Sequence, residues 1–130
     1  IMHIYPRKFH DNGKVDISFL PDDIAWAVRC GIELGVDVIK TPFCGDIKAW
    51  KQIIDACPLP VVAAGGPKCE TLADALQLMA DSVAGGGRGA VIGRNIWGFK
   101  NIPGAVRAFK SVIHDRLPVK EAMKSAGVTN

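Results

Sequence analysis

One lysine offers more chemistry than any other residue of this sequence. Lys40 closes the apolar stretch Val36-Asp37-Val38-Ile39-Lys40-Thr41, where period-two alternation sets Val36, Val38 and Lys40 on one face of a strand. A lysine in line with two valines in a parallel sheet is expected to be largely buried. Burial disfavours the ammonium form, and a neutral amine attacks carbonyl carbon. Position alone fits equally well a lysine that snorkels out of a strand end. The neighbours tip the balance towards an imine-forming amine.

Tyr5 in His3-Ile4-Tyr5-Pro6-Arg7 ends the preceding apolar run, so it is expected one strand away from Lys40. A phenol there can relay protons during imine formation and C–C cleavage. Taken by itself it would be a core tyrosine with a satisfied hydroxyl. Arg7 follows on the loop, where it could meet a phosphate or carboxylate or serve as a plain surface arginine. His3 shares the face of Tyr5 two residues deeper, which suits a lumen or supporting position. Two glycine-marked turns complete the set: Ala64-Gly65-Gly66-Pro67-Lys68 and Gly93-Arg94-Asn95. Each follows an apolar run, and glycines at such turns let backbone N–H groups approach an anion, helped by the helix N-terminus that follows. Gly85-Gly86-Gly87 differs, since it precedes a strand and is expected to be a tight αβ turn.

The elements that must hold these residues follow one repeated pattern. Apolar runs at residues 1–5, 36–41, 59–64 and 89–92 alternate with amphipathic stretches at 22–34, 46–56, 70–84 and 103–114. Strands alternating with helices at about 30-residue spacing imply parallel pairing through right-handed crossovers. Pro21 with Asp22 and Asp23 suits a helix start, and Gly35 suits a helix end. Ile47, Trp50, Ile53 and Ile54 share one helical face, as do Leu72, Ala75, Leu76, Met79 and Val83. Residues 61–64 and 90–92 are apolar on both faces, as strands covered on both sides must be.

Four βα units are half of the eight that close a (β/α)8 barrel. The expected fold is therefore α/β, the C-terminal half (strands five to eight) of such a barrel over residues 1–116, with a helical appendage over 117–130 between Pro118 and Gly127. Ile1 already lies inside a strand, and a four-stranded half exposes two unpaired edges. A missing N-terminal half, or a second copy of the chain in a homo-oligomer, is expected to close it. Barrels commonly build a phosphate site from the loops after strands seven and eight; in this half those are the two glycine turns.

Composition narrows the partners. With 16 Lys and Arg against 13 Asp and Glu the net charge is +3, aromatics are 7%, and no basic stripe forms, so no nucleic-acid partner is expected. No apolar run approaches the roughly 20 residues of a membrane span, and the N-terminus lacks the basic lead of a signal peptide; the cytoplasm is the expected setting. Cys30, Cys44, Cys57 and Cys69 form no CxxC pair and no histidine sits at ligand spacing, so neither zinc nor a structural disulfide is expected. No GxGxxG follows the first strand, which argues against a dinucleotide fold.

The motifs Val36 to Asp46, Cys57-Pro58-Leu59-Pro60-Val61-Val62-Ala63-Ala64-Gly65-Gly66-Pro67-Lys68 and Val91-Ile92-Gly93-Arg94-Asn95-Ile96-Trp97 resemble archaeal-type class I fructose-bisphosphate aldolases and their deoxyribose-phosphate aldolase relatives. Tyr5-Pro6-Arg7 matches the family's strand-five motif, and the resemblance runs to about His114. It implies that Lys40 is the Schiff-base lysine and Tyr5 the general acid/base, without metal or other cofactor. It further implies that Gly65, Gly66, Gly93 and Arg94 hold the phosphate of a phosphorylated ketose, chiefly through backbone N–H groups, with Lys68 and Asn95 in the same motifs. The sequence departs from the family at Lys8, where glycine is common, and at Phe43-Cys44, where Tyr-Thr is common. Residues 9–20 look longer than usual, and the acidic residue of the family's first strand has no counterpart. The leading expectation is cleavage of fructose 1,6-bisphosphate. The alternatives are a lysine-dependent sugar-phosphate synthase, transaldolase-like or acyl-transfer enzyme of the same family, and an inactive half barrel that only binds phosphate.

Overall fold

A computed structural model describes residues 1–129. In chain order the elements are β1 (Met2–His3), β2 (Arg7–Phe9), β3 (Val15–Ile17), α1 (Pro21–Glu33), β4 (Ile39–Pro42), α2 (Ile47–Asp55), β5 (Val61–Ala64), α3 (Leu72–Ala84), β6 (Ala90–Val91), α4 (Arg94–Trp97), α5 (Ile102–Ile113) and α6 (Val119–Ala126). The strands β1, β4, β5 and β6 form one parallel sheet in that spatial order, so each pairs with the sheet strand before it in sequence. The expected α/β architecture is present, with helices crossing between successive parallel strands.

Local chemistry sets the helix ends. Pro21 opens α1, where its missing N–H leaves nothing unpaired, and Gly35 beyond it takes the left-handed conformation at φ 68°. The Asp46 carboxylate accepts the Ala49 N–H at 2.8 Å and caps α2. Thr71 and Asn101 cap α3 and α5 in the same way.

Burial shows which face of the sheet is covered. Ile39, Thr41, Val61 and Ala63 are fully enclosed against the helices, and a side chain at Gly31 of α1 would strike Ile39 and Met2. The alternating residues of the other face are different: Lys40 and Val62 are half-buried, His3 is exposed, and Val91 is 38% exposed. Lys40 is thus partly buried, less enclosed than Ile39 and Thr41 beside it, and the expectation of strands covered on both sides holds only in part: Pro42 and Ala64 are enclosed on the Lys40 face, while Val62 is half-buried and His3 and Val91 are exposed. Burial along the helices follows the expected stripes, with Leu72, Ala75, Leu76, Met79 and Val83 enclosed; on α2, Trp50 and Ile53 are enclosed while Ile47 stays exposed.

Trp50 organises the core. Its indole N–H donates to the Ser82 carbonyl at 3.0 Å, and Phe43 packs edge-on at 5.5 Å. A methyl group at Gly85 would lie 2.7 Å from the indole ring, so the three-glycine turn lets α3 pass close to α2. Residues 117–129 pack into the same core: Ala122, Ala126 and Val128 belong to it, and Arg107 of α5 donates to the Ala126 carbonyl. Asn130, the last residue of the expected appendage, lies outside the described residues.

Residues 9–20 are not a plain loop. Strands β2 and β3 form an antiparallel hairpin, turned by Gly13 at φ 79° and closed by the His10 N–H donating to the Lys14 carbonyl.

Candidate active site

The parallel register sets Lys40 of β4 level with His3 of β1 on one side and Val62 of β5 on the other. Parallel partners share a face, so His3, Lys40 and Val62 make a row on the open side of the sheet. The Ile4 N–H donates to the Lys40 carbonyl at 2.9 Å and carries the pairing past the end of β1. Tyr5 comes next, half-buried, just past the end of the strand adjacent to Lys40.

A cleft of about 300 Å³ opens at the C-terminal strand ends. Tyr5, Gly65, Gly66 and Arg94 line it, together with Ile17 and Phe19 from the hairpin and Pro42 and Phe43 from the end of β4. Four of the expected residues are thus brought together. Lys40 is not in the wall of the cleft; it lies on the same face of β4 as Pro42, two residues deeper. Another cleft of about 320 Å³ lies between α1 and α2, among Ala25, Val28 and Ile53. It holds none of the candidate residues, so size is a poor guide to the chemistry here.

Other expected residues stand elsewhere. Arg7 is exposed on β2 and borders a shallow recess with Asp23, Trp26 and Cys30. The Lys68 ammonium lies 5.3 Å above the Phe99 ring, a cation–π contact. Gly93 packs under the Trp97 ring, which a side chain at that position would strike.

The two glycine turns are tied to each other. Asn95 is only 2% exposed. Its amide nitrogen donates to the carbonyls of Gly65 at 2.7 Å and Pro67 at 2.8 Å, while its oxygen accepts the Cys69 N–H at 2.7 Å. Arg94 adds a bond to the Gly66 carbonyl at 3.1 Å. The Gly65 N–H is committed to the Val91 carbonyl, and the Gly66, Lys68, Gly93 and Arg94 N–H groups meet no protein acceptor among the described residues. The turn after β5 therefore presents Gly66 rather than Gly65 as a backbone donor. Sequence reasoning placed Asn95 in the motif without this job; the signal was a carboxamide inside a turn beside a proline-glycine loop, which has carbonyls to satisfy.

Charge on the hairpin is local. Lys14 lies 3.0 Å and His10 3.1 Å from the Asp16 carboxylate. The hydrogen bond from Lys14 is the main cause that holds this carboxyl below its usual range, with His10 adding to it. Burial, reinforced by the Asp74 charge, pushes the Cys69 thiol up; all four cysteines are free.

Comparison with known proteins agrees with this geometry. The chain belongs to the DeoC/LacD family of aldolases, whose sequence profile matches residues 1–98. An uncharacterised aldolase of Saccharolobus solfataricus is 29% identical over 103 residues, covering 79% of this chain and 38% of the relative. The 2-amino-3,7-dideoxy-D-threo-hept-6-ulosonate synthase 1 of Archaeoglobus fulgidus is 28% identical over 124 residues, covering 95% and 44%. An archaeal fructose 1,6-bisphosphate aldolase superposes with a TM-score of 0.77 at 32% identity, over 87% of this chain and 44% of that one. So does an archaeal enzyme whose catalytic lysine carries the carbinolamine intermediate, with a TM-score of 0.73 at 29% identity, over 85% and 44%. The chain spans less than half the length of these relatives, and its parallel strands and helices correspond to half of their barrel. Among the described residues no helix is long and apolar enough to cross a membrane.

Proposed function

We propose that this chain supplies the catalytic strands of a class I aldolase, in which Lys40 forms an imine with a phosphorylated ketose. The reading rests on one observation above others: Tyr5 follows the end of β1, the strand that pairs in parallel with the Lys40 strand, and glycine turns end the next two strands. The fructose 1,6-bisphosphate aldolases with matching folds support the substrate class.

In the forward direction the Lys40 amine adds to the C2 carbonyl and water leaves, giving an iminium that withdraws electrons from the C3–C4 bond. Tyr5 takes the proton of the C4 hydroxyl as that bond breaks, and glyceraldehyde 3-phosphate departs. The remaining enamine is protonated at C3, and water then releases dihydroxyacetone phosphate from Lys40. No step of this scheme calls for a metal. The other half of the barrel, from the rest of a longer chain or from a second copy, closes the open face over Lys40. The cytoplasm, where thiols such as these four stay reduced, is the setting that fits.

Borohydride reduction in the presence of dihydroxyacetone phosphate tests this. The protein as its gene encodes it should gain one reduced ketone adduct, located at Lys40 by peptide mass spectrometry. An unmodified Lys40 under saturating ketone would overturn the reading.

A second reading is favoured by the hairpin. Ile17 and Phe19 give the cleft an apolar wall, which suits an acceptor aldehyde other than glyceraldehyde 3-phosphate, as in a synthase like the Archaeoglobus relative. Comparing turnover of fructose 1,6-bisphosphate with that of other phosphorylated ketoses separates the two.

A further inference from the structure

The loop between β5 and α3 has an unusual pattern of satisfied and unsatisfied backbone groups. Three consecutive carbonyls, those of Gly65, Gly66 and Pro67, all accept from side chains of the single pair Arg94 and Asn95. A planar trans peptide holds its C=O and N–H in opposite directions, and no peptide of the described chain is cis. Turning the Gly65 carbonyl towards Asn95 therefore turns the Gly66 N–H away from it. Turning the Pro67 carbonyl towards Asn95 does the same for the Lys68 N–H. Both N–H groups lack a protein acceptor among the described residues, and Gly66 and Pro67 border the cleft. Gly66 also sits at φ 68°, a conformation that favours glycine.

We propose that Asn95 is the positioning residue of the substrate's phosphate site, holding the Gly65–Cys69 turn so that the Gly66 and Lys68 N–H groups converge on the anion. This rests on the aldolase reading for the identity of the anion, but not for the geometry. Asn95 itself does not touch the phosphate: both of its N–H donors are already spent on backbone carbonyls, its oxygen accepts a backbone N–H, and its side chain is enclosed. Lys68 contributes its backbone N–H, while its ammonium is drawn off over Phe99. An asparagine is specifically suited to the task, because it must donate twice and accept once in one plane. Aspartate can accept from Cys69 but cannot donate to both carbonyls, and it would set a negative charge against two carbonyl oxygens.

The proposal separates phosphate recognition from imine chemistry, and the test uses that separation. Borohydride trapping is measured with dihydroxyacetone phosphate and with unphosphorylated dihydroxyacetone, in the gene-encoded protein and in Asn95→Asp. The expected result is a rise of roughly ten- to hundredfold in the half-saturating concentration of the phosphorylated ketone, the scale of losing both buried donations, with trapping of the unphosphorylated ketone unchanged. Lowering the pH, which lets the introduced carboxyl donate one bond, should restore part of the loss. An equal fall for both ketones would mean that Asn95 is a general structural residue and would overturn the proposal.

A second measurement does not depend on the variant's folding. Titration of the unsubstituted protein with inorganic phosphate, followed by amide nitrogen–proton correlation spectra, should move the Gly66 and Lys68 amides while leaving Gly65 and Cys69 in place. Movement of Gly65 and Cys69 instead, or of none of the four, would sink the assignment. Absence of trapping with either ketone in the unsubstituted protein would refute the aldolase reading, whereas the phosphate titration reports on the turn regardless.

Discussion

Lys40 stands level with His3 on the neighbouring parallel strand, on the face of the sheet opposite the enclosed Ile39 and Thr41. The imidazole is the titratable group next to the amine in that row, and Tyr5 follows it two residues on. The register sets the amine and the imidazole at one level, with the phenol two residues nearer the rim.

Replacing Lys40 by arginine keeps a positive charge and a long stem but removes the imine-forming amine. Trapping with dihydroxyacetone phosphate should vanish and turnover should fall by at least the roughly thousandfold expected when a covalent route is lost. Retained trapping at another lysine would show that Lys40 is not the nucleophile.

Tyr5→Phe keeps the ring in the cleft wall and removes the hydroxyl. A positioned acid/base contributes about 10²–10⁴-fold, so kcat for cleavage should drop on that scale while the Lys40 adduct still forms. Steady-state kinetics alongside trapping distinguishes the two steps; an unchanged kcat would remove Tyr5 from the reaction.

Trp50→Ala empties the space beside Phe43 and strands the Ser82 carbonyl that the indole satisfies. Large-to-small changes at enclosed aromatic sites cost about 3–5 kcal/mol. Urea titration followed by far-ultraviolet circular dichroism should show a midpoint shift of that size. At the start of α2, Asp46→Ala should cost about 1 kcal/mol by freeing the Ala49 N–H, with Asp46→Asn close to neutral.

Acid should loosen the hairpin before the sheet. The Lys14 ammonium, with His10, holds the Asp16 carboxyl below its usual range, so the folded hairpin favours the ionised form. Its contribution is complete above the unfolded value and is lost as pH falls through the lower, folded one. The Lys14 and His10 partners lie at the surface, so added salt should weaken the same contact. Amide exchange at the β2–β3 pairing, followed against pH, should accelerate below pH 4 and should lose that dependence in Asp16→Asn.

Sequence periodicity made the sheet legible because a parallel strand and its crossover helix differ in period, two against 3.6. The run at 59–64 contains β5, the run at 36–41 covers all of β4 but Pro42, and the helical stretches match α1, α2, α3 and α5 to within two residues. The hairpin escaped because its strands are three residues each and one of them, Arg7–Phe9, is fully exposed, too short for a pattern. The Asn12-Gly13 pair was the available sign. Lys40 is half-buried rather than enclosed: alternation tells which face a residue shares but not how completely that face is covered. Tyr5 and the glycine turns were readable from their places at strand ends. The job of Asn95 was not, since it depends on carbonyls 28 and 30 residues away.

The spatial order of the sheet also bears on how the chain reaches its structure. Each sheet strand docks on the one made just before it, so β1 is the template for β4, β4 for β5, and β5 for β6. Pairings between successive units span short stretches of chain, which lowers the entropy of loop closure at every step. A polypeptide emerging from the ribosome can therefore add one unit at a time, each growing edge serving as the seed for the next.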